Sequence, residues 1–222
     1  MTIDNCSACK AALSGLASDK KQAERVEQLF PGCACEKYSV GAGSPGPVLG
    51  EEIIYRMVIS PGDIDDEGNL LMEALKDVKL DGLSVFRESA TDEDIVALVT
   101  DRLTRRASHE PRVVQALIMV KTESVRELSK EDHGRLFCVY DETVPRKKPT
   151  DTPVATHVTI LQRLQQEGTP NRRGLIKAGQ KALYDEIHHQ RVAIATFRDG
   201  LIEALNERSL AGDFVLQEIE AA

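Results

Sequence analysis

The sequence predicts an α+β protein, in which a small mixed sheet of four to five strands lies between a helical N-terminal module and a helical C-terminal region. Three observations predict this class. Short β-branched runs bounded by turn residues occupy the middle of the chain. Apolar residues at three- and four-residue spacing occupy both ends. Strands and helices do not alternate strictly, as they would in a doubly wound sheet.

The N-terminal residues 7–30 have a helical pattern of Ala, Leu and Val separated by Lys and Glu. Gly15 and the pair Ser18-Asp19 predict a division into two short helices, because Ser and Asp favour N-cap positions. Pro31-Gly32 ends the pattern. Residues 39–50, SVGAGSPGPVLG, have little to bury and predict a linker or a surface loop.

The first two predicted strands are residues 53–59 and 83–86, each β-branched or apolar and each bounded by turn residues. A helix follows from Thr91 to about residue 108. Asp94, at the third position of that helix, completes a capping box with Thr91.

The second half of the core contains three further apolar runs. Residues 113–120 are apolar almost without interruption, which predicts a strand covered on both faces. A short helix is expected at 123–128, a fourth strand at 136–140 and a polar loop at 141–153. Residues 157–161 form either a fifth strand or the start of a helix, because periodicity cannot decide over so short a run.

The pattern is helical again from residue 175, and residues 213–219 form a short strand or helix. The chain therefore divides into a Cys-containing helical module (1–38), a Gly/Pro linker (39–50), an α/β core (51–165) and a helical C-terminal region that packs on the core (166–222).

Composition limits the classes of partner. The chain has 28 Lys and Arg against 36 Asp and Glu, a formal net charge of −8, which argues against nucleic acid as a partner because phosphate binding needs concentrated positive charge. The sequence has neither a signal peptide nor a long apolar run, so we expect a cytoplasmic protein that does not enter a membrane. With no sequence motif that specifies a reaction, the expected role is an intracellular binding or adaptor protein with a protein partner, and whether it is an enzyme stays open.

Four of the five cysteines lie in the first 35 positions: Cys6, Cys9, Cys33 and Cys35. Their arrangement is C-x2-C, then 23 residues, then C-x-C. Four thiolates complete a tetrahedral zinc site, so the spacing predicts a structural zinc. An iron–sulfur cluster, a redox dithiol and four small buried side chains that bind nothing are the alternatives. Cys138, in an apolar strand, is expected to be an ordinary core residue.

Three other residues carry a possible chemistry. Tyr55-Arg56 on the first strand and Gly82-Leu83-Ser84 at the second resemble the Arg and Ser placement of ADP-ribosyltransferase-like folds. The resemblance implies a nucleotide-handling enzyme in which Arg56 holds the phosphates of NAD as a bidentate donor, with Glu218 or Glu220 as the late Glu of that family.

His157, at the start of the fifth predicted strand, has a side chain suited to a general base or a nucleotide contact. The alternatives are that Arg56 lies on a polar strand face and that His157 is a partly buried residue with a backbone partner.

Overall fold

The structure is a computed structural model, and it describes residues 6–13, 21–40, 43–60, 62–97, 113–142, 154–164, 170–188, 190–193 and 215–216. The helices in these ranges are α1 (Ser7–Leu13), α2 (Gln22–Leu29), α3 (92–97), α4 (Thr122–Glu127) and α5 (Arg172–Ile187), with 3₁₀ segments at Pro31–Lys37 and Met72–Lys79. In this part of the chain, no helix has the length and apolarity needed to cross a membrane.

Six strands follow one another across the main sheet in the order β6-β7-β2-β1-β3-β8, and all neighbours are antiparallel. A seventh strand, β9, pairs in parallel with β3, and β4 and β5 form a separate two-stranded sheet. The bounds are β1 (Ile53–Ser60), β2 (Leu83–Arg87), β3 (Val113–Lys121), β4 (Ser129–Lys130), β5 (Gly134–Arg135), β6 (Phe137–Asp141), β7 (His157–Gln162), β8 (Arg191–Ala193) and β9 (Val215–Leu216).

The two faces of the sheet bury different clusters. The first face packs on α5 and the 3₁₀ segment Met72–Lys79, and its cluster includes Ile54, Val58, Leu75, Val85, Ile118, Ile160 and Leu183. The second face carries two clusters. One, over β1–β3, contains Tyr55, Phe86, Ile95 of α3 and Leu117. The other, over β6 and β7, contains Leu13, Val26, Cys138, Tyr140 and Leu161.

Residues of the predicted linker are held against the sheet by a buried carboxylate. Asp141, at the end of β6, accepts hydrogen bonds from the hydroxyls of Ser39 at 2.9 Å and Ser44 at 2.6 Å. The buried Arg87 guanidinium lies 3.4 Å from Asp141 and also pairs with Glu52. These contacts fasten Ser39 and Ser44 of this Gly/Pro-rich stretch to β6, and Glu52, just after it, to β2.

The α+β class is confirmed, and the four apolar runs predicted as strands, together with the run left open, are the five longest strands of the main sheet. Residues 157–161, left open between strand and helix, lie in β7. The backbone N–H of Asp94 donates to the Thr91 hydroxyl at 3.2 Å, as the predicted helix start requires. α1 and α2 are separate helices, while Gly15 and Ser18-Asp19 fall outside the described residues, as does the chain from 98 to 112. The divisions at 38, 50 and 165 stay predictions.

Candidate active site

Ser84 is an exposed serine in the middle of the main sheet. It lies on β2 between Leu83 and Val85, which are buried in the first-face cluster. Because side chains alternate along a strand, Ser84 projects from the second face. β2 has a paired strand on each side. The exposure of the Ser84 side chain therefore means that the second face is open to solvent above Ser84.

His157, on the neighbouring strand β7, is hydrogen-bonded to Ser84. Ser84 Oγ lies 2.6 Å from His157 Nε2, and His157 Nδ1 lies 2.9 Å from the backbone oxygen of Glu142. A carbonyl oxygen only accepts, so Nδ1 carries the hydrogen and Nε2 of the neutral ring is an acceptor. The Ser84 hydroxyl therefore donates to Nε2, which is the arrangement of a nucleophile with its general base.

The carboxyl group of Glu142, the residue whose backbone oxygen contacts His157, is buried. It accepts hydrogen bonds from Gln22 Nε2 at 3.3 Å and from the Thr159 hydroxyl. Burial raises the pKa of Glu142 from 4.5 to about 7. The negative charges of Asp81 and Asp141 also raise this pKa, whereas the two hydrogen bonds lower it. The residue whose backbone oxygen holds the imidazole thus has a carboxyl group whose pKa is raised by burial.

A glycine lets β2 approach β7 closely just before Ser84. Gly82 has a φ of +97°, and a Cβ at this position would overlap Cγ2 of Thr159 and lie 2.8 Å from Cδ2 of Leu161. The pairing that follows joins Ser84 to Thr159 and Phe86 to His157. Ser84, His157 and Thr159 therefore share the second face and form a polar strip across β2 and β7.

Arg56 contacts Ser84 from the other side of the sheet. It shares a face of β1 with Ile54 and Val58, which belong to the first-face cluster. Its guanidinium donates to the backbone oxygen of Ser84 at 2.9 Å, and its side chain is buried. The structure thus brings Arg56, Ser84 and His157 together but places the Arg56 side chain and the Ser84 hydroxyl on opposite faces. Glu218 and Glu220 lie outside the described residues.

The cysteines are joined in two disulfides. Cys9 is bonded to Cys35 within the N-terminal segment, and Cys33 is bonded to Cys138 on β6, while Cys6 is free. Cys138 is therefore a crosslinking residue, and the expectation of an ordinary core residue was wrong. The physical reason is that the 3₁₀ segment Pro31–Lys37 packs against β6 and brings Cys33 within bonding distance.

This oxidised arrangement does not fit a zinc ion. Among the described residues, one group of possible ligand atoms lies within 4.8 Å of one another: the sulfurs of Cys33 and Cys138 and a carboxylate oxygen of Glu36. The two sulfurs share a disulfide, and Glu36 is already bonded to Arg135 and to the backbone N–H of Val139. The predicted zinc site of Cys6, Cys9, Cys33 and Cys35 needs thiolates, so it stays a prediction for the reduced protein.

Sequence reasoning did not identify Glu142, Gln22 or Thr159 as site residues. Thr159 had a usable signal, because it lies two positions after His157 and therefore on the same strand face. Glu142 fell in the predicted polar loop, and Gln22 on a helix that the sequence leaves unplaced relative to the sheet. Comparison with protein-family models, with curated proteins and with solved structures finds no significant match for the chain.

Proposed function

We propose that the protein is an acyl-transfer enzyme or hydrolase in which Ser84 is the nucleophile and His157 is the general base. The observation that carries this proposal is the hydrogen bond from an exposed serine to a histidine whose other nitrogen is held by a carbonyl oxygen. A histidine oriented by a third group and bonded to a hydroxyl is the general signature of an activated serine.

The reaction follows from these positions. Ser84 Oγ attacks the carbonyl carbon of an ester-like substrate and its proton passes to His157 Nε2. The new O–C bond then replaces the bond to the leaving group, which departs with the proton from His157. Water, deprotonated by the same nitrogen, cleaves the acyl-serine and restores both residues. The Glu142 carbonyl keeps the Nδ1 hydrogen in place throughout.

A fluorophosphonate probe tests the nucleophile directly, because it phosphonylates activated serines and needs no knowledge of the substrate. We expect labelling of the wild-type protein at Ser84, found by mass spectrometry of peptides, and no labelling of Ser84→Ala. Ser89→Ala, which removes another exposed serine just after β2, is the matched control and should label like the wild type.

The general base is tested by His157→Gln, which we expect to slow labelling about 100-fold or more. Circular dichroism and an unfolding curve on the same samples show whether the variant is folded. Absence of wild-type labelling at Ser84, or an equal rate in folded His157→Gln, would refute the proposed mechanism.

Nucleotide handling by Arg56, Ser84 and His157 is the alternative enzymatic proposal. The three residues lie close together, but the buried Arg56 side chain contacts only the backbone oxygen of Ser84, from the face of the sheet opposite to the hydroxyl. NAD would then stabilise the folded protein, since a ligand that binds only the folded state raises its stability. A thermal shift with millimolar NAD is the test, and Arg56→Met should abolish the shift. No shift in the wild type would exclude this alternative.

A cytoplasmic binding role with a protein partner is a third proposal, supported by three large apolar side chains that are exposed in the described part of the chain. Leu29, Leu49 and Met72 are 58%, 55% and 42% exposed. In a reducing compartment the cysteines would be free to hold a structural zinc. Elemental analysis of protein purified under reducing conditions tests the metal. Leu29→Asp with Leu49→Asp, expected to abolish co-purification of a partner, tests the surface.

A further inference from the structure

Glu142 holds both the backbone and the ring of His157. Its backbone N–H donates to the His157 carbonyl at 3.2 Å, and its own carbonyl accepts from Nδ1 at 2.9 Å. Glu142 follows the last residue of β6, beyond the final strand pair, Asp141 with Val158. The position of its carbonyl therefore depends on what holds the rest of the residue.

The side chain of Glu142 is anchored at both carboxylate oxygens. Thr159 of β7 donates to one oxygen and Gln22 of α2 to the other. Glu142 is 7% exposed and Gln22 is completely buried, so water does not compete for either contact. Gln22 belongs to the same N-terminal segment that the Cys33–Cys138 disulfide fastens to β6. These contacts connect α2 to the imidazole through a single residue.

We propose that Glu142 is the positioning residue of the Ser84–His157 pair, and that Gln22 clamps it from the N-terminal segment. This inference rests on the proposed function. The carboxyl contacts fix the Glu142 carbonyl, and the carbonyl fixes the Nδ1–H tautomer. In that tautomer Nε2 carries no hydrogen and accepts the Ser84 proton. A ring with its hydrogen on Nε2 would donate to Ser84 and would not accept its proton.

The buried amide of Gln22 gives the proposal a conservative test. Gln22 Oε1 has no hydrogen-bond partner among the described residues. In Glu142→Gln, the new amide keeps an oxygen for Thr159 and offers an N–H to Gln22 Oε1 after rotation of the Gln22 amide. The anchoring should therefore survive loss of the charge, whereas Glu142→Ala removes both contacts.

The experiment measures the fluorophosphonate labelling rate of the full-length protein, with histidine ¹⁵N NMR as a second readout of the His157 tautomer. We expect Glu142→Ala to label about 100-fold more slowly and to lose the His157 Nδ1–H signal. Glu142→Gln should retain the signal and stay within about threefold of the wild-type rate. Gln22→Ala should label about tenfold more slowly, whereas Gln28→Ala, exposed on the same helix, should match the wild type.

The outcomes separate the two proposals. Absence of labelling at Ser84 in the wild-type protein would refute the proposed function. The NMR signal would still report whether Glu142 fixes the tautomer of His157. A wild-type protein that labels, with Glu142→Ala equally fast and its Nδ1–H signal intact, overturns the positioning role. Equal slowing of Glu142→Ala and Glu142→Gln also overturns it, because the charge rather than the anchoring would then be what matters.

Discussion

Replacing Glu142 with glutamine should change how the stability of the protein depends on pH. The pKa of Glu142 is about 7 in the folded protein, against 4.5 for a glutamate in water. The folded state therefore binds the proton more tightly than the unfolded state does. By linkage, the contribution of Glu142 to the free energy of unfolding is highest below pH 4.5 and falls as the pH rises through 7.

The size of the effect follows from the difference of the two pKa values. About 2.5 units at roughly 1.4 kcal/mol per unit give a loss of about 3 kcal/mol from pH 4.5 to pH 8. Glu142→Gln removes the titrating group but keeps a side chain of the same shape. We therefore expect the variant to gain about 3 kcal/mol relative to the wild type over this range. Asp141, whose pKa burial also raises, is present in both proteins, so its contribution largely cancels.

Urea unfolding at half-unit pH intervals, followed by circular dichroism, measures this difference. Glu123→Gln, which removes a carboxylate from an exposed position, is the matched control and should follow the wild-type curve. A constant difference between Glu142→Gln and the wild type across the range would refute the argument, since it would mean that the carboxyl group is not desolvated by folding.

Two further changes test the packing and the crosslinks. Gly82→Ala should destabilise the protein by about 3 kcal/mol, because the new Cβ would overlap Thr159. Gly68 has a φ of +82° but open space around it, so Gly68→Ala should destabilise the protein by only about 1 kcal/mol. Chemical denaturation compares the two variants, and equal losses of stability would contradict the predicted overlap. Alkylation of the denatured, unreduced protein should modify Cys6 alone. Replacing Cys33 and Cys138 with serine should lower the free energy of unfolding by about 4 kcal/mol in oxidising buffer, given the sequence separation of 105. The disulfide pairing would be contradicted if all the cysteines reacted with the alkylating reagent. It would also be contradicted if the oxidised and the reduced wild-type protein were equally stable.

The strands were predictable because their signal is local. Residues 113–120 illustrate this: their continuous apolarity predicted burial on both faces, and Ile118 packs into the first-face cluster while Leu117 packs into a second-face cluster. Residues 157–161 were ambiguous for the opposite reason. Their strand conformation is stabilised by pairing with β2 and β6, which the sequence of the run alone does not contain.

The site was only partly predictable, since its contacts depend on register. Ser84 and His157 were singled out by residue type and position, but their hydrogen bond exists because β2 and β7 pair with Ser84 opposite Thr159. Gln22 and Glu142 are 120 residues apart in sequence. No local pattern connects two such residues, so only the packing of α2 on the sheet could reveal the contact.

The cysteine spacing likewise indicated that the N-terminal cysteines share a role, but it did not indicate that they form disulfides. Clustering correctly drew attention to the N-terminal cysteines, two of which, Cys9 and Cys35, are bonded to each other. The partner of Cys33 is 105 residues away on β6. An apolar strand position gives the same pattern for a core cysteine and for a crosslinked one, so Cys138 could not be distinguished from the sequence.

The exposure of Ser84 is the observation that favours the proposed catalytic pair over a hydrogen bond that only satisfies a buried histidine. His157 is 4% exposed, and any hydroxyl beside it would satisfy Nε2. A hydroxyl that only satisfies the histidine could be buried as well, with the apolar residues around Ser84 packed over it. Ser84 is instead exposed, although its strand has neighbours on both sides and although Leu83, Val85 and Phe86 around it are buried. Exposure of Ser84 would give a substrate access to the proposed nucleophile, while His157, 4% exposed, stays in a protected, low-dielectric environment, and this favours the proposed chemistry over a packing role.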